Sequence, residues 1–216
     1  MHICFDWDGT IACKDVAEEA AMRRGKTLGL VMDPVWMREA QKTHAHYAVN
    51  KDAISAYTGV TDPQMLTSMM TELFRFHYLA VVHEWKEKVY VHGMHEVLRQ
   101  LRGSKHQLSI ASTLRQDIIE YSLRQLGIRE WFVSVRANTP DLAFSKEDLI
   151  VQIVSEAGKV DAIVGDRAED LRAALMIGAK GVFVTWGAEE EESQVQKGIV
   201  ARKATDLMGI LERLRE

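Results

Sequence analysis

Apolar runs and amphipathic stretches alternate along most of this chain, and the rhythm breaks only once. Ile3-Cys4-Phe5 opens as a short continuous apolar run, the pattern of a strand buried on both faces. From residue 89 onward, helix and strand periods take turns. Met94, Val97, Leu98 and Leu101 share one face of a helix over Gly93–Arg102. Gln107–Ala111 reads as a strand, Gln116–Leu126 as a helix closed by Gly127, and Trp131–Val135 as a short strand. Lys146–Ala157 is predicted helical and stops at Gly158, Val160–Val164 is a strand, and Ala168–Ile177 is a helix closed by Gly178. Gly181–Thr185 follows as a strand, and a last helix runs from Thr205, its N-cap, to about Leu214. Strands alternating with helices predict βαβ units, hence an α/β fold with a doubly wound parallel sheet covered on both faces.

Residues 14–88 depart from that rhythm, with helices near Asp15–Arg24, Pro34–Val49, Lys51–Tyr57 and Pro63–Glu87 and no convincing strand. Thr61 or Asp62 caps the last of these, with Pro63 at its first position. The expected organisation is therefore a core of residues 1–13 and 89–216 with a helical cap over 14–88. An insertion after the first strand is a candidate lid, because loops at the strand C-termini surround the site in such sheets. Six of the ten methionines fall in this insertion, and with aromatics such as Tyr57, Phe76 and Tyr78 most are expected to form its own core. Its ten Lys/Arg balance ten Asp/Glu, so no patch announces a highly charged substrate.

The whole chain has 216 residues, 47% of them hydrophobic, enough for a sizeable core. Its net charge of −4 provides no basic footprint for nucleic acid or for a membrane surface. The start shows no basic segment followed by a long apolar one, and no apolar run suffices to cross a bilayer. A soluble, cytoplasmic chain is expected, with Cys4 and Cys13 reduced and Cys4 packed as a small hydrophobe. The run Glu189–Glu192 reads as a solvated loop.

Candidate chemistry gathers where the predicted strands end. Asp6-Trp7-Asp8-Gly9-Thr10 follows the first strand, Ser112-Thr113 the second, and Gly165-Asp166 a later one, with Asp170 one turn further on. Lys146 opens a helix after Ser145. In a doubly wound sheet these ends converge on one crevice. Asp6, Asp8, Asp166 and Asp170 would repel one another there unless a cation neutralised them, and an oxygen-only donor set suits Mg2+. Mg2+ in turn suits a phosphate ester, whose oxygens a serine hydroxyl, turn N–H groups and a lysine can hold. A carboxylate can serve as nucleophile, so the residues point to phosphoryl transfer through an aspartyl phosphate.

Taken in order, these four motifs resemble those of the haloacid dehalogenase-like hydrolase superfamily, in particular its phosphoglycolate phosphatase-like group with a helical cap inserted after the first strand. The resemblance implies a Rossmann-like core and a phosphatase acting on a small phosphorylated metabolite, without nucleic acid or membrane, as a monomer or homodimer. It implies Asp6 as nucleophile and Asp8 as proton donor and then base, with its backbone carbonyl on Mg2+. Thr10, Ser112, Thr113 and Lys146 would bind the phosphoryl group, and Asp6, Asp8, Asp166 and Asp170 would hold the metal. A phosphomutase of the same superfamily and a non-catalytic phosphate-binding protein are the alternatives. Arg115 and Arg167 flank motif positions and are expected in surface salt bridges. His44 and His46, two apart on a helix, point to opposite sides and cannot share a metal.

Overall fold

The computed structural model describes residues 1–29, 51–187 and 199–215. The helix expected over 34–49, the pair His44 and His46, and the charge run 189–192 lie outside the described residues. Two compact units emerge, Met1–Lys14 with Lys86–Glu216, and Asp15–Trp85.

The first unit is built on six parallel strands: β1 (His2–Phe5), β2 (Gln107–Arg115), β3 (Phe132–Asn138), β4 (Ala162–Gly165), β5 (Lys180–Val184) and β6 (Ile199–Ala201). Their order is β3-β2-β1-β4-β5-β6, so the order reverses at β1, which pairs with β2 on one side and β4 on the other. All four residues of β1 are buried, as the continuous apolar run required. The helices of this unit are α4 (Met94–Gly103), α5 (Gln116–Gln125), α6 (Lys146–Ala157), α7 (Ala168–Met176) and α8 (Asp206–Arg213). On one sheet face Cys4, Ala111 and Ile163 pack with Leu149, Ile150 and Ile153 of α6 and Ala173 and Ala174 of α7. The outcome is an α/β doubly wound sheet.

Several details differ from the sequence reading. β2 continues through Ser112 and Thr113 to Arg115, so both polar residues lie within the strand, beside a register shift against β3. Trp131 belongs to a 3-10 turn (Arg129–Trp131), and β3 begins only at Phe132. The sixth strand was not foreseen, because the three residues of β6 are too few to show a period. Thr205 stands at the N-cap of α8 but makes no side-chain cap bond; Asp206 accepts instead from the N–H groups of Arg202 and Lys203.

The second unit holds the rest of α1 (Lys14–Thr27), α2 (Lys51–Thr58) and α3 (Pro63–Trp85). Met65 N donates to Asp62 Oδ1, so Asp62 caps α3 ahead of Pro63. Leu28, Ile54, Leu66 and Met70 form its core, with Met69 packed against them. The expectation that most of its methionines and aromatics are core residues fails at Tyr57, Met65 and Phe76, which are 61–64% exposed. On α3 the buried residues Leu66, Met70, Tyr78, Val81 and Val82 take the inner face, and Met65 and Phe76 fall off it. Among the described residues no helix is long and apolar enough to cross a membrane.

Candidate active site

A tight turn joins β1 to α1. Asp6 N still donates to Val164 O of β4, at 2.9 Å, and the chain then folds around one carbonyl: Thr10, Ile11 and Ala12 donate to Trp7 O at 3.3, 2.9 and 2.9 Å. Gly9 N donates to Ala12 O, and Trp7 is fully buried. Gly9 has φ +75, and any Cβ there would collide with the Asp166 carboxylate. Gly187 meets the same loop from the far side, where a Cβ would strike the Gly9 carbonyl. Beside it, Trp186 Nε1 donates to Thr10 O at 3.2 Å.

Lys146 is the hub of the site. It occupies the first helical position of α6, behind a capping box in which Ser145 Oγ accepts from Asp148 N and Asp148 accepts from Ser145 N. Its side chain is 2% exposed, and Nζ donates to Asp6 Oδ1 at 2.6 Å and to Ala111 O at 2.9 Å. The same ammonium stands 3.0 Å from Asp170 Oδ1. Asp170 comes from the first turn of α7, its Oδ2 accepting from Arg167 N, and it fills the space that a side chain at Gly165 would need. Asp166 follows β4 directly and is fully buried, yet neither of its oxygens accepts a hydrogen bond. Its ion-pair partner is Lys14, whose Nζ lies 3.5 Å from Oδ2. Carboxylate oxygens of Asp6, Asp166 and Asp170 lie within 4.8 Å of one another.

Burial, reinforced by Asp6, pushes the Asp166 carboxyl well above the ordinary carboxylate range, while Lys14 pulls it back in part. Burial also raises Asp170, against the opposing pull of Lys146. For Lys146 burial alone would lower the ammonium, but Asp170 and Asp6 outweigh it and the net shift is upward, so it stays charged. Three carboxylates forced together, two buried oxygens without donors and, among the described residues, no nitrogen or sulfur ligand form a donor set that fits a hard divalent cation such as Mg2+.

Of the residues singled out from sequence, Asp6, Lys146, Asp166 and Asp170 come together directly. Ser112 is buried on β2, next to the Ala111 carbonyl that holds Lys146, and its Oγ accepts from Leu114 N. Thr10 is buried in the turn, with Oγ1 lacking a hydrogen-bond partner. Asp8 is half-buried, pairs through its backbone with Ala12, and is not among the three converging carboxylates. Thr113 is exposed where the five residues before it, Leu108 to Ser112, are buried, and its carbonyl accepts from Asn138 Nδ2. Arg115 pairs with Asp117 at 3.0 Å. Lys14 was not foreseen, although its sequence position carried a signal: a cation in the first turn of a helix opposes the macrodipole and calls for an acidic partner.

Residues 3–184 match the family of haloacid dehalogenase-like hydrolases. A curated relative, the phosphoglycolate phosphatase of Synechococcus elongatus, is 37% identical over 106 residues, or 48% of this chain. That match spans 49% of the relative, about half its length. Among solved structures, a haloacid dehalogenase-like family hydrolase of Streptococcus pneumoniae superposes with a TM-score of 0.73 at 21% identity, covering 97% of each chain. A candidate β-phosphoglucomutase of Thermotoga maritima reaches 0.73 at 15% identity over 99% of each chain. A HAD-hydrolase of Bacillus subtilis, bound to magnesium, reaches 0.72 at 14% identity over 97% of each. At these identities the solved structures establish a shared fold.

Proposed function

The chain belongs to the haloacid dehalogenase-like hydrolase family, and from that premise we propose that it is a Mg2+-dependent phosphatase that hydrolyses a small phosphate monoester through an aspartyl phosphate. The observation that carries this reading is the Lys146 bridge between Asp6 and Asp170, beside the donorless Asp166. Asp6 acts as nucleophile: its carboxylate oxygen bonds to phosphorus as the ester P–O bond breaks. Asp8, outside the converging trio and half-buried, gives a proton to the leaving alkoxide and then takes one from the water that opens the acyl phosphate. Lys146 and Ser112 hold the phosphoryl oxygens, and the Lys146 hydrogen bond keeps Asp6 aimed. Thr10, with a free hydroxyl in the turn, and Thr113, through its backbone, complete the phosphate cradle. Asp6, Asp166 and Asp170, with the Asp8 carbonyl, would hold Mg2+, which when bound would supply charge neutralisation for the transferring group. The helical unit 15–85 serves as the cap, and the site lies within the other unit.

The relative from Synechococcus elongatus makes a short phosphorylated acid the first substrate to try. The test is phosphate release from a panel of monoesters led by phosphoglycolate, with Mg2+ or with EDTA, beside an Asp6→Asn control. Release that needs Mg2+ and vanishes in the control supports the proposal. Transfer to a sugar acceptor in place of release identifies a mutase, and inactivity of folded protein across the panel overturns the phosphatase reading.

A further inference from the structure

Lys14 is a lysine that the proposed chemistry leaves unused, and it stands on the carboxylate most in need of a cation. Lys146 is committed to Asp6, Asp170 and the Ala111 carbonyl and is 2% exposed, so it has no freedom to serve Asp166. Lys14 approaches from solvent, 24% exposed, and its Nζ reaches 3.5 Å from Asp166 Oδ2. The path of its stem is set by Gly9: the volume that a Cβ would fill there is bordered by Asp166 and by Lys14 Cε, at 3.0 Å. A side chain at residue 9 would displace both groups, so the same missing atom admits the carboxylate and the lysine. Lys14 also opens α1, where its charge faces the positive end of the helix. The contact with Asp166 offsets that penalty.

We propose that Lys14 is a built-in counter-cation of the carboxylate cluster, which a divalent ion must displace from Asp166 in order to bind. The inference rests on the metal-dependent reading above and adds a residue to it. Charge balance supports it. Three carboxylates face two ammonium groups, and exchanging the single charge of Lys14 for a divalent ion brings the cluster to neutrality once Lys146 is counted. Retaining Lys14 on Asp166 beside that ion would place like charges together in a site shielded from water. Lys14 therefore sets how tightly the metal is held and keeps Asp166 partnered when the metal is away.

The experiment is calorimetric titration of Mg2+ into the full chain, comparing wild type, Lys14→Met, Lys14→Arg and Asp166→Asn. Lys14→Met keeps the length of the stem and removes the charge, and it is expected to bind Mg2+ about tenfold more tightly, the scale of one partly exposed ion pair plus the relieved repulsion. Lys14→Arg keeps the charge and is expected to stay near wild type, while Asp166→Asn loses binding. A second readout is thermal melting: without metal Lys14→Met melts below wild type, and with saturating Mg2+ the gap closes. Wild-type binding with unchanged or weaker affinity in Lys14→Met overturns the role of Lys14 and leaves the phosphatase reading standing. Absence of Mg2+ binding in folded wild type and in Lys14→Met overturns both. Should Lys14→Met fail to fold, Lys14→Gln takes its place with the same expectations.

Discussion

The two ends of β1 are four residues apart and solve opposite problems. At the lower end, His2 closes a fully partnered network: its Nε2 lies 2.6 Å from Ser109 Oγ on β2, its Nδ1 lies 3.2 Å from Lys159 O, and its backbone N–H donates to Asp161 at 2.9 Å. Its polar groups are partnered, and the result is a fixed pairing of β1 with its neighbours. At the upper end, Asp6 enters a group of buried carboxylates held by Lys146 on one side, with Asp166 lacking any hydrogen-bond donor on the other. One end is finished by the protein itself. The other carries excess negative charge that an added cation resolves, and such local conflict is expected where binding and chemistry reside.

The contrast predicts different outcomes for changes at each end. The largest effect belongs to Asp6→Asn, which removes the nucleophile and is expected to lower phosphate release by about 10^4-fold or more, with the circular dichroism spectrum unchanged. Lys146→Met comes next. It strands Asp6 and Asp170 as buried acids, and urea unfolding is expected to show a loss of about 3–5 kcal/mol. Asp166→Asn should move the other way: in EDTA, removal of a repelling buried carboxylate raises the melting temperature while activity is lost. A higher melting point with full activity would erase the distinction between the two ends. The smallest effect is Ser109→Ala, which leaves His2 Nε2 unpartnered at a cost of about 1–2 kcal/mol and spares turnover.

Acidity separates the ends as well. Burial lowers the His2 pKa below its ordinary 6.5, against the opposite pull of Lys159 O and Asp161, so the unfolded chain binds the proton more readily than the folded one. The contribution of His2 is therefore complete above pH 6.5 and is lost as the pH falls through its folded value. Asp166 and Asp170 are raised above 3.8, so there the folded chain binds protons more readily, and without metal their contribution declines as pH rises above 3.8. Melting in EDTA across this range should show both slopes. Asp166→Asn should flatten the carboxylate branch, and His2→Gln the histidine branch. A shared loss of both slopes in either variant would tie the ends together and contradict their independence.

Much of the site was legible because its signals are local. An apolar run that ends in Asp6-Trp7-Asp8-Gly9-Thr10, and another that ends in Gly165-Asp166, place acids at strand ends without any knowledge of partners. Lys146 illustrates the limit: in sequence it is a lysine at the start of a helix, and only the fold makes it a 2% exposed bridge between two acids. Lys14 has the same local character, and its meaning appears only when Asp166, 152 positions later, is brought against it. The continuation of β2 through Ser112-Thr113-Leu114-Arg115 was hidden because that polar stretch has no hydrophobic alternation, while pairing with β3 holds it extended.

By itself the sequence determined the alternation of strand and helix, the interruption after the first strand, and which acids stand at strand ends, since all of these follow from periodicity and turn chemistry within a few residues. The tertiary structure alone decided which acids meet. It gathered Asp6, Asp166 and Asp170 within 4.8 Å, left Asp8 outside that trio, gave Lys146 to two of them and Lys14 to the third. The reason is physical: the strand order that reverses at β1 sets distant segments side by side, and burial turns their spacing into charge that must be balanced.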